Sequence, residues 1–104
     1  MTCYFVSRHP GAVQWAALQD LQVDAWVPHL DPAQVHPGDT VIGSLPVNLA
    51  AQVCQRGAAY WHLSLALTAD LRGRELTSDE LQRLGAKVCR YHIKSVTTME
   101  SVPS

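Results

Sequence analysis

Three short stretches of the chain carry residue types suited to holding or cutting a phosphate ester. Ser7-Arg8-His9 places a hydroxyl, a permanent cation and a titratable imidazole side by side, followed by Pro10-Gly11. Pro10 fits the first turn of a helix, where its missing N–H would have had no intrahelical partner. The tripeptide is therefore expected at a helix N-terminus, whose free N–H groups and dipole favour an anion. Ser7, Arg8 and His9 are the expected catalytic residues, with Gly11 as a ligand-contacting position. The competing reading is ordinary: Ser7 or His9 caps the helix and Arg8 is solvated. Arg8 is the one Arg or Lys before Arg56, alone in an acidic half, and this favours the functional reading.

The second stretch is Gly43-Ser44-Leu45-Pro46, with Asn48 two residues on. Its glycine lets backbone approach an anion or nucleotide, and Ser44 and Asn48 can hydrogen-bond it. Gly43, Ser44, Leu45, Pro46 and Asn48 are thus expected to bind ligand, against the plain alternative that Ser44 caps a helix. The third, Arg72-Gly73-Arg74-Glu75, can bring two guanidinium groups over a phosphate, with Arg72 and Arg74 as ligands and Gly73 as the flexible point. A solvated loop is the alternative there.

Other chemistries lack their signatures. His29, His36, His62 and His92 show no mutual metal-ligand spacing, and no cofactor or metal is expected. Neither G-x-x-x-x-G-K-S/T nor G-x-G-x-x-G occurs. Cys3 lies within a predicted strand, a poor setting for a thiolate nucleophile.

The elements that must position these stretches follow from periodicity. Cys3 to Val6 reads as a strand, and Ala12 to Leu18 repeats apolar residues at helical spacing. Val23 to Val27 reads as a second strand, Asp31 to Val35 as one helical turn, and Thr40 to Ile42 as a third strand. A helix from Val47 to Arg56 stops at Gly57, as a helix ending at a glycine should. Ala59 to Leu65 is apolar enough for an interior strand covered on both faces. Ser78, as a cap, begins a last helix that ends at Gly85. In the final strand, Val88 to Val96, Cys89, Tyr91 and Ile93 alternate with Arg90, His92 and Lys94, which predicts an edge strand with one apolar and one cationic face.

Alternating strands and helices imply an α/β fold: a small Rossmann-like, mainly parallel sheet of about five strands flanked by helices, occupying residues 1–96 as a single domain, with a polar tail at 97–104. In such sheets ligands bind beyond the C-terminal strand ends where strand order reverses. The loops after the first and third strands are expected there.

A chain of 104 residues has room for one core. Its net charge of −1 argues against binding long DNA or RNA, so any anionic ligand is small and locally held. Charged residues are 16% against 47% hydrophobic, which points to surface covered by a partner, and a homodimer is expected. Three widely spaced cysteines suggest neither disulfides nor zinc, and hence a reducing compartment. The first residues run into a strand with no basic leader, and no apolar run approaches membrane-spanning length, so a cytoplasmic protein without membrane contact is expected.

Across nearly its whole length the chain resembles a small CRISPR-associated accessory family of type III systems, similar in fold to CARF domains and implicated in ring nuclease activity. The resemblance rests on Tyr4-Phe5-Val6-Ser7-Arg8-His9-Pro10-Gly11-Ala12, His29-Leu30-Asp31, Pro37-Gly38-Asp39-Thr40-Val41-Ile42-Gly43, Leu45-Pro46-Val47 with Leu49-Ala50-Ala51, and Arg72-Gly73-Arg74-Glu75-Leu76. It implies that the ligand is a cyclic oligoadenylate, the four-membered ring, and that the protein degrades this messenger and ends the signal. With no carboxylate cluster for magnesium in the sequence, the expected chemistry is metal-independent attack by a ribose 2′-hydroxyl, giving a 2′,3′-cyclic phosphate. Two other readings stand beside it: a non-catalytic sponge or sensor of the ring, and a structural subunit of a larger complex.

Overall fold

The computed structural model describes residues 1–64 and 75–97. In chain order the elements are β1 (Cys3–Val6), α1 (Pro10–Leu18), β2 (Ala25–Val27), a 3₁₀ turn (Pro32–Gln34), β3 (Thr40–Gly43), α2 (Val47–Gln55), β4 (Ala59–Ser64), α3 (Ser78–Arg83) and β5 (Lys87–Tyr91). The five strands form one sheet in the order β2-β1-β3-β4-β5. The first four run parallel, while β5 pairs antiparallel with β4 at the edge. This is a small Rossmann-like α/β fold.

Alternation along the strands divides the core between the two faces of the sheet. Val6, Val41 and Tyr60 pack with Ala50, Val53 and Cys54 of α2. Phe5, Ile42 and Leu63 pack on the other face with Ala12, Trp15 and Ala16 of α1 and Leu81 of α3. Trp15 also donates its indole N–H to Gln82 Oε1 at 3.1 Å, which ties α1 to α3.

Three local expectations are corrected. The second strand begins at Ala25 rather than Val23, because Asp24 turns the chain in: its carboxylate accepts the Cys3 N–H at 2.8 Å and its own N–H donates to the Cys3 carbonyl. The last helix is capped by Thr77, not Ser78, in a reciprocal box in which Thr77 Oγ1 accepts the Glu80 N–H and Glu80 accepts the Thr77 N–H. The final strand is an edge strand as expected, but it ends at Tyr91 and its expected apolar face is covered in part, at Ile93, which packs against the α2 core. Cys89 and Tyr91 are exposed, whereas Val88 packs against the α1–α3 core. The pairings Leu63↔Val88 and Tyr60↔Tyr91 set this, and Cys54 of α2 meets the backbone here, its Sγ 3.9 Å from the Tyr91 carbonyl and 3.4 Å from the Ile93 nitrogen, while the Tyr91 side chain stays exposed.

Candidate functional site

In this strand order the chain passes from β1 outward to β2 and then returns to β3 on the other side of β1, so the reversal lies between β1 and β3. Val6 and Gly43, the last residues of those strands, are paired. Their two following loops therefore leave the sheet side by side. Gly43 is required for this approach: a Cβ there would sit 2.7 Å from the Val6 carbonyl oxygen.

In the first loop Ser7 is pinned through its N–H to the Val27 carbonyl at 3.0 Å, and its hydroxyl accepts the His9 N–H at 3.1 Å. His9 occupies the N-cap position of α1 with extended backbone, yet its own side chain does not cap the helix. Its Nδ1 instead lies 3.0 Å from Glu75 Oε1, an exposed pair that joins the loop to the start of the α3 segment. Arg8 is exposed. Gly11 is buried, and a Cβ there would run into the Leu76 carbonyl, so close packing of α1 on residues 75–77 accounts for this glycine.

The second loop is held from below. Ser44 donates its hydroxyl to the Leu63 carbonyl at 2.7 Å and so braces the loop on β4 rather than capping α2. The Leu45 N–H donates to the Tyr60 hydroxyl at 3.0 Å. That hydroxyl also lies 3.2 Å from the Gly43 carbonyl and 2.7 Å from His62 Nδ1. A phenol has one hydrogen to give, so it donates to one of these two acceptors, and which one follows the imidazole tautomer. Burial pushes the Tyr60 hydroxyl above its ordinary pKa, which keeps it a neutral donor through the neutral range. Pro46 stands at the N-cap of α2, and Asn48 is exposed in its first turn.

Tyr60 and His62 were not singled out by sequence reasoning. Their signal was present as an i, i+2 pair on one face of the fourth strand, but only the register Gly43↔His62 places it beneath the loop. Arg72 and Arg74 lie outside the described residues.

Ser7 and Arg8 line a cleft of about 390 Å³ with Phe5, Pro10, Val13, Gln14, Trp26, Val27 and Pro28. A second hollow of about 510 Å³, between Gln14, Ala17 and Leu18 of α1 and Thr77, Ser78 and Asp79, holds none of the expected site residues. Among the described residues no three His, Cys, Asp or Glu side chains are grouped to hold a metal ion, and no helix is long and apolar enough to cross a membrane. Burial, and then the Asp24 carboxylate, raise the Cys3 thiol above its ordinary pKa, which disfavours a thiolate there.

No curated protein and no solved structure matches this chain. A family profile does, over residues 4–94, a span that takes in both loops, the cleft and the Tyr60–His62 pair. The chain belongs to the family described as "Putative CRISPR-associated protein (Cas_VVA1548)".

Proposed function

We propose that this protein is a ring nuclease of type III CRISPR signalling, which binds a cyclic oligoadenylate, the four-membered ring, and cuts it without a metal ion. The observation that carries the reading is the placement of two loops rich in anion-binding groups side by side at the strand-order reversal of a CRISPR-associated α/β protein.

The reaction needs little from the protein beyond placement and charge. The ribose 2′-oxygen forms a bond to the adjacent phosphorus, the bond from phosphorus to the 5′-oxygen breaks, and a 2′,3′-cyclic phosphate remains. The 2′-hydroxyl loses its proton and the departing 5′-oxygen gains one. Arg8 would neutralise the charge that develops on the phosphorane, and the Ser7 hydroxyl hydrogen would bond a non-bridging oxygen. His9 is the titratable group of that loop and would move the proton. Gly43 to Pro46 would frame a second phosphate that the exposed Asn48 amide bonds, the Ser44 hydroxyl and the Leu45 N–H being given to Leu63 and Tyr60, and Arg72 and Arg74 would add charge to it. A homodimer would double both loops about a twofold axis that matches the symmetry of a cyclic ligand. Such a protein would work in the cytoplasm.

His9 Nδ1 is engaged by Glu75, which orients the imidazole and leaves Nε2 to move the proton. The same two loops would also serve a protein that binds the ring without cutting it. One experiment separates the two readings. Cyclic tetra-adenylate is incubated with excess protein in EDTA and the products are identified by mass. Linear products ending in 2′,3′-cyclic phosphate are expected. Retention of an intact, protein-bound ring would support the sponge, and cleavage only on adding a divalent ion would overturn the metal-free mechanism.

A further inference from the structure

We propose that the cleft beside Arg8 is a base-stacking subsite, in which the indole of Trp26 takes the adenine ring of a nucleotide whose phosphate lies at Arg8. The identity of the ligand rests on the function proposed above; the subsite itself rests on the cleft.

Trp26 lies on β2, at the edge of the sheet, paired with Phe5. The two rings touch, with centroids 5.3 Å apart and planes tilted by 49°. Phe5 is buried to 1% exposure and anchors the indole on one side, while Trp26 itself stays 43% exposed and lines the cleft. A large aromatic surface left in water at a sheet edge, fixed in place by a core residue, is a rigid platform rather than a mobile surface side chain. The cleft volume of about 390 Å³ falls within the range of small-molecule sites, roughly 300–1,000 Å³.

The remaining lining groups fit one chemistry. Pro10, Val13, Val27 and Pro28 give apolar walls suited to the edges of a flat ring. Arg8 and Ser7 stand at the same cleft and suit the phosphate attached to that base. Gln14, exposed on α1, carries an amide that can pair with the amino group and N7 of adenine. An aromatic plane, a cation and an amide in one cleft describe a nucleotide site, and stacking supplies affinity for it without a metal or a long basic groove.

The test uses the indole N–H resonances of the whole protein, of which there are three, from Trp15, Trp26 and Trp61. The Trp26 resonance is identified by its loss in Trp26→Phe. AMP is titrated into the millimolar range, with ribose 5-phosphate and GMP as parallel arms. AMP is expected to move the Trp26 resonance, GMP to move it less, and ribose 5-phosphate to leave it in place. In direct binding of cyclic tetra-adenylate, Trp26→Ala is expected to weaken affinity roughly 5- to 150-fold and Trp26→Phe much less. No response to AMP, or an equal response to ribose 5-phosphate, would overturn the subsite. An equal response to GMP would overturn its assignment to adenine. A Trp26 resonance that moves with protein concentration instead of AMP would assign the cleft to contact between two copies and overturn it also. The ring-cleavage assay on the same preparation keeps the two proposals apart. An AMP response without cleavage leaves the subsite standing and removes the nuclease, while cleavage with a silent Trp26 does the reverse.

Discussion

Arg8 is where the proposed chemistry and the structure meet most directly, because an exposed guanidinium lines the cleft beside Ser7 while the neighbouring imidazole is held by Glu75. If Arg8 meets charge that develops in the transition state, Arg8→Ala should lower single-turnover cleavage of cyclic tetra-adenylate by about two to three orders of magnitude. Arg72→Ala and Arg74→Ala, two residues apart on one stretch, can substitute for each other and should lose far less, and Lys94→Ala should be nearly silent. Unchanged melting temperatures would show that these proteins are folded; near-normal turnover in Arg8→Ala would remove it from the site. Arg8 could be singled out from the sequence because isolation of a charge is a one-dimensional property. The Tyr60–His62 pair could not. Its meaning depends on a hydroxyl reaching Leu45, fifteen residues away, and only strand register creates that contact. Gly11 shows the opposite failure: a glycine beside a phosphate-like loop invites a ligand reading, yet the Leu76 carbonyl fills the space.

Among the elements, the β1–β3 pair matters most for the site, since both candidate loops begin at its last rung. A methyl group at position 43 would press on the Val6 carbonyl, so Gly43→Ala must spread the strands where the loops diverge. Overpacking of this sort costs about 1–3 kcal/mol. Each kcal/mol lowers the melting temperature of a domain this size by roughly 4–8 °C. Ligand affinity should fall beyond what the melt explains, because Ser44 and Leu45 are tied through Leu63 and Tyr60 to β4, which would be displaced from the first loop along with β3. A thermal melt and a binding titration on Gly43→Ala check both, and wild-type affinity would show that the loops do not act together. Strand and helix order followed from periodicity because buried parallel strands read as apolar runs between glycine and proline breaks. The last strand misled because alternation shows that two faces differ without showing which one the rest of the protein covers. Val88 packs on the α1–α3 face, whereas on the other face Cys54 of α2 contacts the backbone at Tyr91 and Ile93 and leaves the Tyr91 ring half-exposed.

For the whole molecule, the proposed homodimer predicts that light scattering gives twice the mass of one 104-residue chain. A monomer both free and with ligand would refute it. A buried carboxylate ties strand entries together at the opposite end of the sheet from the two loops. Asp39, 4% exposed, accepts the Thr2 N–H at 2.9 Å and the His36 N–H at 2.9 Å, and its own backbone carbonyl takes the Ala59 N–H. It thus joins the entries to β1, β3 and β4. The His36 N–H and then the Thr2 N–H hold its pKa below the ordinary carboxylate value, with smaller help from the His36 ring and the N-terminal amine. A depressed pKa means that the folded state favours the ionised form, so this stabilisation is complete above the unfolded value of about 3.9 and is lost as pH falls through Asp39's own lower value. Asp39→Asn removes that linkage. Its amide oxygen can accept one of the two N–H groups, but its NH₂ cannot accept the other. The variant should therefore melt below wild type at pH 7, and the gap should narrow steadily as pH drops below about 4, where wild type loses what the variant never had. Melting both proteins across that range isolates Asp39 from the other carboxylates, which titrate alike in each. A gap that stays constant with pH would mean that Asp39 contributes through packing alone.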